Sequence, residues 1–350
     1  TCLPPLNSSI AKLEVIEQKR PLPHSSLNQE TLSMRLCRYS HLSAIAVGLY
    51  FDDGVIPLRE VARLTGDTLL QSELDKQPDC MERLLSPSGD LSQQLRHCFD
   101  AIENFQRIPK VSTSEIEVLP PIAAPSKLLL LAGNYVEHIL EQGDLAAERA
   151  NTFPYVFMKP AGTTLRGNRA SVAIPSISPN KIDYELELAV IIGKEARNVS
   201  ADQALNYVAG YTIINDLSDR GFRPNPSRQE RPRDKFFDWL HGKWHDGFCP
   251  CGPCITTADE IPDPQALKMT LSVDGKTRQD ASTSLQVFSV AEVISFISSM
   301  MTLSPGDIIS TGTPSGVGNA TGNYLKAGQR IEATIEKIGT LVTTMVADRK

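Results

Sequence analysis

The sequence contains no apolar run of the roughly 18 residues that a membrane-spanning helix requires. Its first residues, Thr1 to Pro5, lack the charged and apolar regions of a signal peptide. No long basic run is present and the net charge is -6, which argues against nucleic acid as a partner. We therefore predict a cytoplasmic protein that binds neither membranes nor nucleic acids.

A disulfide framework is also missing, because the chain has seven cysteines, an odd number for its length. Three of them, Cys249, Cys251 and Cys254, cluster just downstream of His245. A structural zinc site needs four well-spaced ligands, and the prolines and short gaps of this cluster make a tetrahedral arrangement awkward. We therefore expect buried or half-buried free thiols here, and no zinc.

The composition that is present is ordinary for a globular protein, with 350 residues of which 41% are hydrophobic and 22% charged. Residues 1–33 are rich in Pro, Ser, Gln and Asn without sustained periodicity, which predicts a poorly ordered extension. Residues 34–120 combine a hairpin signal around Gly54 with two helical patterns, near Asp79 to Leu85 and from Leu91 to Phe105. They predict a small α/β domain.

Three prolines, Pro120, Pro121 and Pro125, mark a linker to the rest of the chain. Strand patterns dominate residues 125–350, including hairpin signals near its centre and at its end. Because strands and helices are not regularly alternated, the pattern favours an α+β fold with a mainly β core over a doubly wound fold.

One apolar strand pattern, Asp183 to Gly193, carries two carboxylates, Glu185 and Glu187. Since side chains alternate faces along a strand, both point the same way, with Cα atoms roughly 6 to 7 Å apart. Two ionised carboxylates on an apolar strand repel each other and are costly to bury, so the pair needs a cation or an exposed face. The strand alone leaves both interpretations open.

A second apolar strand pattern, Tyr211 to Asp216, ends in another carboxylate. The segment between the two strands predicts a short helix capped by Ser200, with Gln203 at the capping-box position. Such an arrangement would bring three carboxylates together. Three oxygen ligands with open water positions suit Mg²⁺ or Mn²⁺, with Ca²⁺ as an alternative, and do not suit zinc.

A candidate helix, Asn134 to Glu141, follows the apolar strand pattern Leu128 to Gly133. On this helix His138 and Glu141 lie at i and i+3 and can interact. A carboxylate beside an imidazole orients the ring and raises its basicity, as a general base requires. Spacing alone nevertheless favours a surface pair, which is the commoner arrangement.

Two further segments bear on ligand binding. The glycine-rich loop Gly312 to Gly318 follows a strand pattern but lacks the Walker lysine and a following helix pattern, which argues against nucleotide binding. Its backbone N–H groups can still bind a carboxylate. The basic segment from Arg220 to Lys243 is either an attractor for an anionic small molecule or a solvated loop, and charge alone does not decide.

A series of short motifs occurs in order along the second part of the chain. These motifs are Gly133-Asn134-Tyr135 leading to His138, Phe157-Met158-Lys159-Pro160, Asp183-Tyr184-Glu185-Leu186-Glu187-Leu188, Tyr207-Val208-Ala209-Gly210-Tyr211 leading to Asn215-Asp216, Gly242-Lys243, Phe248-Cys249-Pro250, Pro305-Gly306-Asp307-Ile308-Ile309 and Thr311-Gly312-Thr313-Pro314. Together they resemble the fumarylacetoacetate hydrolase superfamily, in particular its smaller bacterial acylpyruvase and diketo-acid hydrolase branch. Each motif is weak by itself, whereas their joint occurrence is specific. The resemblance runs from about Leu128 to Val346 and extends more weakly to the part beginning at Met34.

The resemblance implies a β-roll or sandwich catalytic core that holds a divalent metal on Glu185, Glu187 and Asp216. It also implies that His138, together with Glu141, activates a water molecule.

Three more roles are implied for residues of the same core. Lys243, and by analogy Lys159, would hold substrate oxygens and stabilise developing negative charge. Thr313 would lie in the loop that binds the substrate carboxylate. We also expect a homodimer.

The activity implied by the resemblance is metal-dependent hydrolysis of a carbon–carbon bond in a 2,4-dioxo acid, such as an acylpyruvate or a diketo-deoxy sugar acid. The products would be pyruvate, or a related 2-oxo acid, and a carboxylic acid. Decarboxylation, isomerisation or hydration of a 2-oxo diacid at the same site is the alternative. A catalytically silent binding protein on the same fold is a more remote one.

The chain departs from the family pattern after Asp216, where Arg223 replaces a neutral amide. If the backbone turns helical there, Arg220 and Arg223 share one face near the metal and both contact the substrate. An added guanidinium would favour a substrate with a second carboxylate or a sugar-acid tail. The alternative is that Arg223 faces solvent with the other arginines of this basic segment.

Overall fold

The computed structural model describes residues 33–348, except residues 88, 103–104 and 142–151. The predicted N-terminal extension lies, up to residue 32, outside the described residues. Within the part of the chain that is described, no helix is both long and apolar enough to cross a membrane.

The strands of the described chain are β1 (Arg35–His41), β2 (Ala44–Phe51), β3 (Gly54–Pro57), β4 (Val111–Ser112), β5 (Glu117–Val118), β6 (Leu128–Ala132), β7 (Tyr155–Met158), β8 (Leu165–Arg166), β9 (Ala170–Ile174), β10 (Ile182–Asp183), β11 (Leu186–Ile192), β12 (Val208–Asn215), β13 (Ser218–Asp219), β14 (Cys249–Thr257), β15 (Lys268–Val273), β16 (Lys276–Ser282), β17 (Ile308–Ser310), β18 (Arg330–Ile335) and β19 (Gly339–Ala347). The helices are α1 (Leu58–Thr65), α2 (Thr68–Lys76), α3 (Met81–Leu84), α4 (Asp90–Asp100), α5 (Val136–Glu141), α6 (Ala161–Thr164), α7 (Asp234–His241), α8 (Val290–Met300) and α9 (Gly318–Thr321).

Two sheets form the core. A 12-stranded mixed sheet follows the path β4-β3-β2-β1-β14-β12-β11-β17-β6-β7, with β5 and β8 attached beside it. A five-stranded sheet, in the order β16-β15-β18-β19-β9, packs on one face of the large sheet through a shared hydrophobic cluster. This mixed, mainly β architecture is the predicted α+β fold.

The central strand β11 is buried along its whole length and contributes to two separate cores. Leu188 and Val190 belong to the cluster shared with the five-stranded sheet, whereas Ala189 and Ile191 join a second cluster with helices α1 to α4. A strand covered on both faces needs no polar side, which explains its continuous apolar sequence. The exposed-face interpretation of the two glutamates is excluded, because Glu185 and Glu187 are both buried.

The N-terminal part joins the same large sheet, since β1 pairs with β14. The predicted hairpin is confirmed as β2 and β3, which meet at the turn before Gly54. The two predicted helices are α3 and α4, whereas α1 and α2 were not predicted. A domain boundary near residue 120 stays a prediction.

Between β11 and β12 the predicted helix is only a short 3-10 helix, Ala204–Tyr207. It begins after Gln203 and has no side-chain cap, so the predicted cap at Ser200 was wrong. A capping box is present instead at the start of α8, where Ser289 and Glu292 satisfy each other's backbone N–H groups.

The cysteine cluster lies in the nine-residue strand β14. Cys249, Cys251 and Cys254 are buried free thiols, as predicted. Burial raises the pKa of Cys249 to about 12, so this thiol stays protonated at neutral pH. The two prolines of the cluster, Pro250 and Pro253, are accommodated in the strand.

Candidate active site

Three buried carboxylates meet where two central strands end. Leu186 at the start of β11 pairs with Asn215 at the end of β12, which places Glu185 and Glu187 beside Asp216. One ligand oxygen from each lies within 4.8 Å of the others. The predicted convergence of these three carboxylates is confirmed, and the register of the two strands is its cause.

Three cations surround this carboxylate triad. Lys243 Nζ donates to Glu185 Oε2 at 2.7 Å and to Asp216 Oδ2 at 2.5 Å. Arg220 contacts the other oxygen of Glu185, and Lys159 forms an ion pair with the other oxygen of Asp216. Burial alone would raise the pKa of Glu185, but Lys243 and Arg220 hold it well below its usual range.

Among the described residues, no cation forms an ion pair with Glu187. Its Oε2 atom accepts hydrogen bonds from Ser310 Oγ at 2.6 Å and from the Gly312 N–H at 3.0 Å. Burial, with the nearby carboxylates of Asp216 and Glu185, raises the pKa of Glu187 to about 8. A further positive charge is therefore needed beside Glu187 for the whole triad to be ionised at neutral pH.

A divalent cation fits this requirement. The donor set consists of carboxylate oxygens, which suit Mg²⁺, Mn²⁺ or Ca²⁺ and not the sulfur- and nitrogen-preferring metals. The hydrogen bonds to Glu187 engage only Oε2, so they leave Oε1 available as a ligand. Glu185, Glu187 and Asp216 would hold such an ion.

The predicted helix carrying His138 and Glu141 is α5, which follows strand β6. His138 Nδ1 lies 3.7 Å from Glu141 Oε2, so the pair is close but not hydrogen-bonded. Burial lowers the pKa of His138 to about 4, which keeps the ring neutral at pH 7. A neutral imidazole can accept a proton. Because His138 is buried, the surface-pair interpretation does not hold.

Glu141 is held on the glycine-rich loop. Its two carboxylate oxygens accept from the Gly316 N–H at 3.0 and 3.1 Å. On the same helix, Glu137 accepts from Ser315 Oγ at 3.0 Å. Helix α5 is thereby fixed to the loop that follows β17.

A cavity of about 590 Å³ opens onto Glu185 and Glu187 of the triad. The polar side chains lining it include His138, Glu185, Glu187, Arg220, Lys243 and Thr313. A second part of its wall is aromatic and comprises Phe153, Tyr155, Phe157, Trp239 and Phe288. Phe157 and Trp239 pack edge to face at 5.0 Å and flank the Lys243 ammonium. The cavity thus has one charged end and one apolar wall.

Two predicted substrate contacts need correction. Lys159 is buried behind Asp216 and is not among the cavity-lining residues. Its Nζ donates to the backbone carbonyls of Leu217 and Phe248, at 3.0 and 2.5 Å. Lys159 therefore holds the Asp216 carboxylate in this structure and makes no contact with the cavity lining.

Arg223 also lies outside the cavity lining. Its side chain is 58% exposed, and its nearest acidic partner is Glu230 at 3.9 Å. The chain does not turn helical after Asp216, which was the condition for this contact, and instead forms β13, which pairs with β10. Arg220 and Arg223 consequently share no face, and only Arg220 points to the triad.

Some residues of the site were not predicted. Asp183 is buried and accepts from Arg220 Nε at 3.1 Å, which orients this guanidinium toward Glu185. Gln279 on β16 comes from a segment that carried no chemical signal in the sequence. Trp239 on α7 lies in the basic segment, where the sequence signal was charge and not aromatic side chains. Asp183 could have been found, because it opens the same strand pattern as the two glutamates.

Comparison with known proteins identifies the family. A family model described as fumarylacetoacetate (FAA) hydrolase C-terminal matches residues 127–346. The chain belongs to this fumarylacetoacetate hydrolase family. Among curated relatives, 2,4-didehydro-3-deoxy-L-rhamnonate hydrolase of Sphingomonas sp. strain SKA58 is 41% identical over 223 residues, which are 63% of this chain and 73% of the relative. The mitochondrial oxaloacetate tautomerase fahd2 of Xenopus laevis is 32% identical over 330 residues, covering 93% of this chain and 94% of the relative.

Solved structures of the family have the same fold. Maleylpyruvate hydrolase from Sphingobium sp. SYK-6, in complex with manganese(II) ion and pyruvate, aligns with a TM-score of 0.66 and 28% identity, covering 90% of this chain and all of that chain. Fumarylacetoacetate hydrolase from Exiguobacterium antarcticum gives a TM-score of 0.70 with 27% identity and the same coverage. The chain is accordingly a hydrolase or isomerase of the fumarylacetoacetate hydrolase family, as its motifs predicted.

Proposed function

We propose that this protein is a divalent-metal-dependent hydrolase that cleaves a 2,4-dioxo acid into a 2-oxo acid and a carboxylic acid. The observation that carries the proposal is a neutral, buried His138 that lines the same cavity as Glu185 and Glu187 of the carboxylate triad. A base and a candidate metal site that open onto one cavity can act on a single substrate molecule. Mg²⁺ or Mn²⁺ is the proposed cofactor.

The reaction can be followed on the residues of the chain. His138 takes a proton from a water molecule, and the hydroxyl group adds to the C4 carbonyl of the substrate. Collapse of this adduct breaks the C3–C4 bond and leaves the electron pair on C3. The proton held by His138 then returns to C3, which yields the 2-oxo acid. The metal, when bound, supplies Lewis acidity at the 2-oxo group.

Three further residues assist these steps. The Lys243 ammonium faces the cavity and can stabilise negative charge that develops on a substrate oxygen. Arg220 is held between Asp183 and Glu185, so its main effect is to orient the Glu185 carboxylate. Thr313, on the loop after β17, is the proposed contact for the substrate carboxylate.

The substrate tail is proposed to be apolar. Among the described residues that line the cavity, the cations are Arg220 and Lys243, and both are engaged by carboxylates. The wall beside them is aromatic, and it includes Phe157 and Trp239. Arg223, which would favour an acidic or sugar-acid tail, lies outside the cavity lining. An alkyl or aryl acylpyruvate is therefore the preferred candidate.

A panel of 2,4-dioxo acids tests the proposal. The purified protein is incubated with alkyl, aryl and sugar-acid substrates in Mn²⁺ or in excess chelator, and release of the 2-oxo acid is measured. We expect turnover only with metal, and the highest kcat/KM on an apolar tail. Glu187→Gln, which removes one ligand charge at nearly constant shape, should abolish the activity. Full turnover in chelator would rule the mechanism out.

Oxaloacetate tautomerisation is a second candidate. It is favoured by the Xenopus laevis relative, which matches the N-terminal part of this chain as well as the core. In this reaction His138 would move a proton between C3 and the enol oxygen without any water attack. Tautomerisation changes the absorbance of enol-oxaloacetate without breaking a carbon–carbon bond, whereas the hydrolase reaction breaks one. The absorbance change therefore distinguishes the two candidates.

The homodimer and the cytoplasmic location also belong to the proposal. Sedimentation of the purified protein and imaging of a tagged chain test them directly.

A further inference from the structure

The side chain of Gln279 connects Leu186, between the two glutamates of the triad, to the loop that carries Thr313. It projects from β16 and is almost fully buried, with 1% exposure. Its Oε1 accepts from the Leu186 N–H at 3.0 Å, between the ligands Glu185 and Glu187. Its Nε2 donates to Thr313 Oγ1 at 2.9 Å and to the Pro314 carbonyl at 2.8 Å.

These partners fix the orientation of the amide. The Leu186 N–H can only donate, so it must face the carbonyl oxygen of Gln279. The Pro314 carbonyl can only accept, so it must face the amide nitrogen. A flipped amide would place its nitrogen donor against the Leu186 N–H and its oxygen against the Pro314 carbonyl oxygen. Thr313 Oγ1 is therefore obliged to accept a hydrogen bond from Nε2, and its own hydrogen is directed elsewhere.

A nearby threonine, Thr311, has a hydroxyl group that both accepts and donates a hydrogen bond within the protein. Thr311 Oγ1 accepts from Gln286 Nε2 and donates to the Leu188 carbonyl, both at 2.8 Å. For Thr313, in contrast, no described residue accepts the hydroxyl hydrogen, and the side chain lines the cavity. A buried donor of this kind needs an acceptor, which a ligand can provide.

The loop that carries Thr313 is fixed close to the triad. Gly312, the preceding residue, donates its N–H to Glu187. Gly316 has φ +100, and an added Cβ would lie 2.2 Å from the Arg278 carbonyl oxygen, so this part of the loop packs tightly on β16. The Thr313 hydroxyl is thus held in a defined place with one free donor.

We propose that Gln279 is a positioning residue that fixes the Thr313 hydroxyl as a hydrogen-bond donor to the carboxylate of a bound 2-oxo acid. The inference depends on the proposed function, since it assigns a role within the same site. Gln279 does not touch the substrate. It acts through Thr313, and it ties the substrate-binding loop to the strand that carries Glu185 and Glu187.

Calorimetric binding of pyruvate to the Mn²⁺-loaded protein tests the inference without any turnover. Loss of a hydrogen bond to a charged group weakens binding by about tenfold or more. We expect Gln279→Met and Thr313→Val each to raise the Kd for pyruvate by about tenfold, and Thr313→Ser to restore it. The double variant should also raise the Kd for pyruvate by about tenfold, because both changes remove the same interaction.

Thr311→Val is the matched control. It removes an equally buried hydroxyl from the same loop, but one whose hydrogen is used inside the protein. It should lower the melting temperature and leave the Kd for pyruvate unchanged. If Gln279→Met does not fold, Gln279→Asn keeps the amide but is too short to reach both Leu186 and Thr313, and it gives the same test.

The possible results separate the two proposals. If the parent protein binds pyruvate and Gln279→Met binds it equally well, the inference is wrong and the proposed function stands. A double variant weakened about a hundredfold would show that Gln279 and Thr313 act independently, which also contradicts the inference. A parent protein that binds no 2-oxo acid refutes the proposed function, and the inference with it.

Discussion

His138 is the residue on which the proposed chemistry depends most directly. We expect His138→Ala to lower kcat by roughly a hundredfold or more, the usual loss for a general base, with metal affinity nearly unchanged. Glu141→Gln should have a smaller effect, since Glu141 lies 3.7 Å from the imidazole and is held mainly by Gly316. Steady-state kinetics, together with Mn²⁺ titration, measure both. An unaltered rate for His138→Ala would place the base elsewhere.

Arg223 provides a contrasting prediction at the same scale. Because its side chain is exposed and outside the cavity lining, Arg223→Gln should change kcat/KM by less than about twofold on alkyl and sugar-acid substrates alike. The ratio of the two kcat/KM values is the measurement. A selective loss on the sugar-acid substrate would restore the original interpretation of this arginine.

Helix α7 is the element that brings an aromatic wall to the site, through Trp239. Its first turn is tied to the preceding loop by Arg228, which bonds to Asp234 Oδ2 at 3.0 Å and also contacts Asp238. We expect Arg228→Met to loosen the helix and raise KM for an aryl-tailed substrate about two- to fivefold, with little change in kcat. Arg231→Met is the matched control.

The control is informative because Arg231, within the described chain, pairs with Asp234 but not with Asp238, and its side chain is 79% exposed. Its loss should leave KM unchanged. A methyl-tailed substrate gives a second comparison, since it should not reach Trp239. Equal effects of the two arginine variants, or equal effects on both substrates, would argue against a role of the helix in binding the tail.

At the scale of the whole molecule, a metal on the triad would link the start of β11 to the end of β12 at the centre of the large sheet, so metal binding should stabilise the entire fold. A ligand at 100 times its Kd adds about 2.7 kcal/mol to the free energy of unfolding. We therefore expect saturating Mn²⁺ to raise the melting temperature by on the order of 5 °C relative to chelator. Differential scanning fluorimetry is the measurement.

Glu187→Gln should raise the melting temperature in chelator and remove most of the Mn²⁺-dependent rise. Burial and the neighbouring carboxylates raise the pKa of Glu187 to about 8, so folding in chelator must either protonate this group or bury its charge, and both lower the stability. The neutral glutamine avoids this cost, so the variant should melt higher than the parent protein in chelator. It should then show little further shift with Mn²⁺. A variant that keeps the full Mn²⁺ shift would exclude Glu187 as a ligand.

Strand periodicity and motif order were enough to predict β11, the convergence of its two glutamates with Asp216, and the proximity of His138 and Glu141. These features depend on local spacing and on one pairing between neighbouring strands. The position of Arg223 depended on whether the chain turned helical after Asp216, which the pairing of β13 with β10 decides. Gln279 could not be predicted, because its partners lie on β11 and on the loop after β17, and only the packing of the two sheets brings them together.

The exposed loop between β13 and α7 has a consequence for proteolysis. Residues 229–233 are exposed, and they separate Asp216 from Lys243 along the chain. A protease that cuts there produces two fragments, one carrying the triad and the other carrying Lys243. Pairing of β12 with β14 spans the cut, so the fragments should remain associated and migrate as one species until they are denatured.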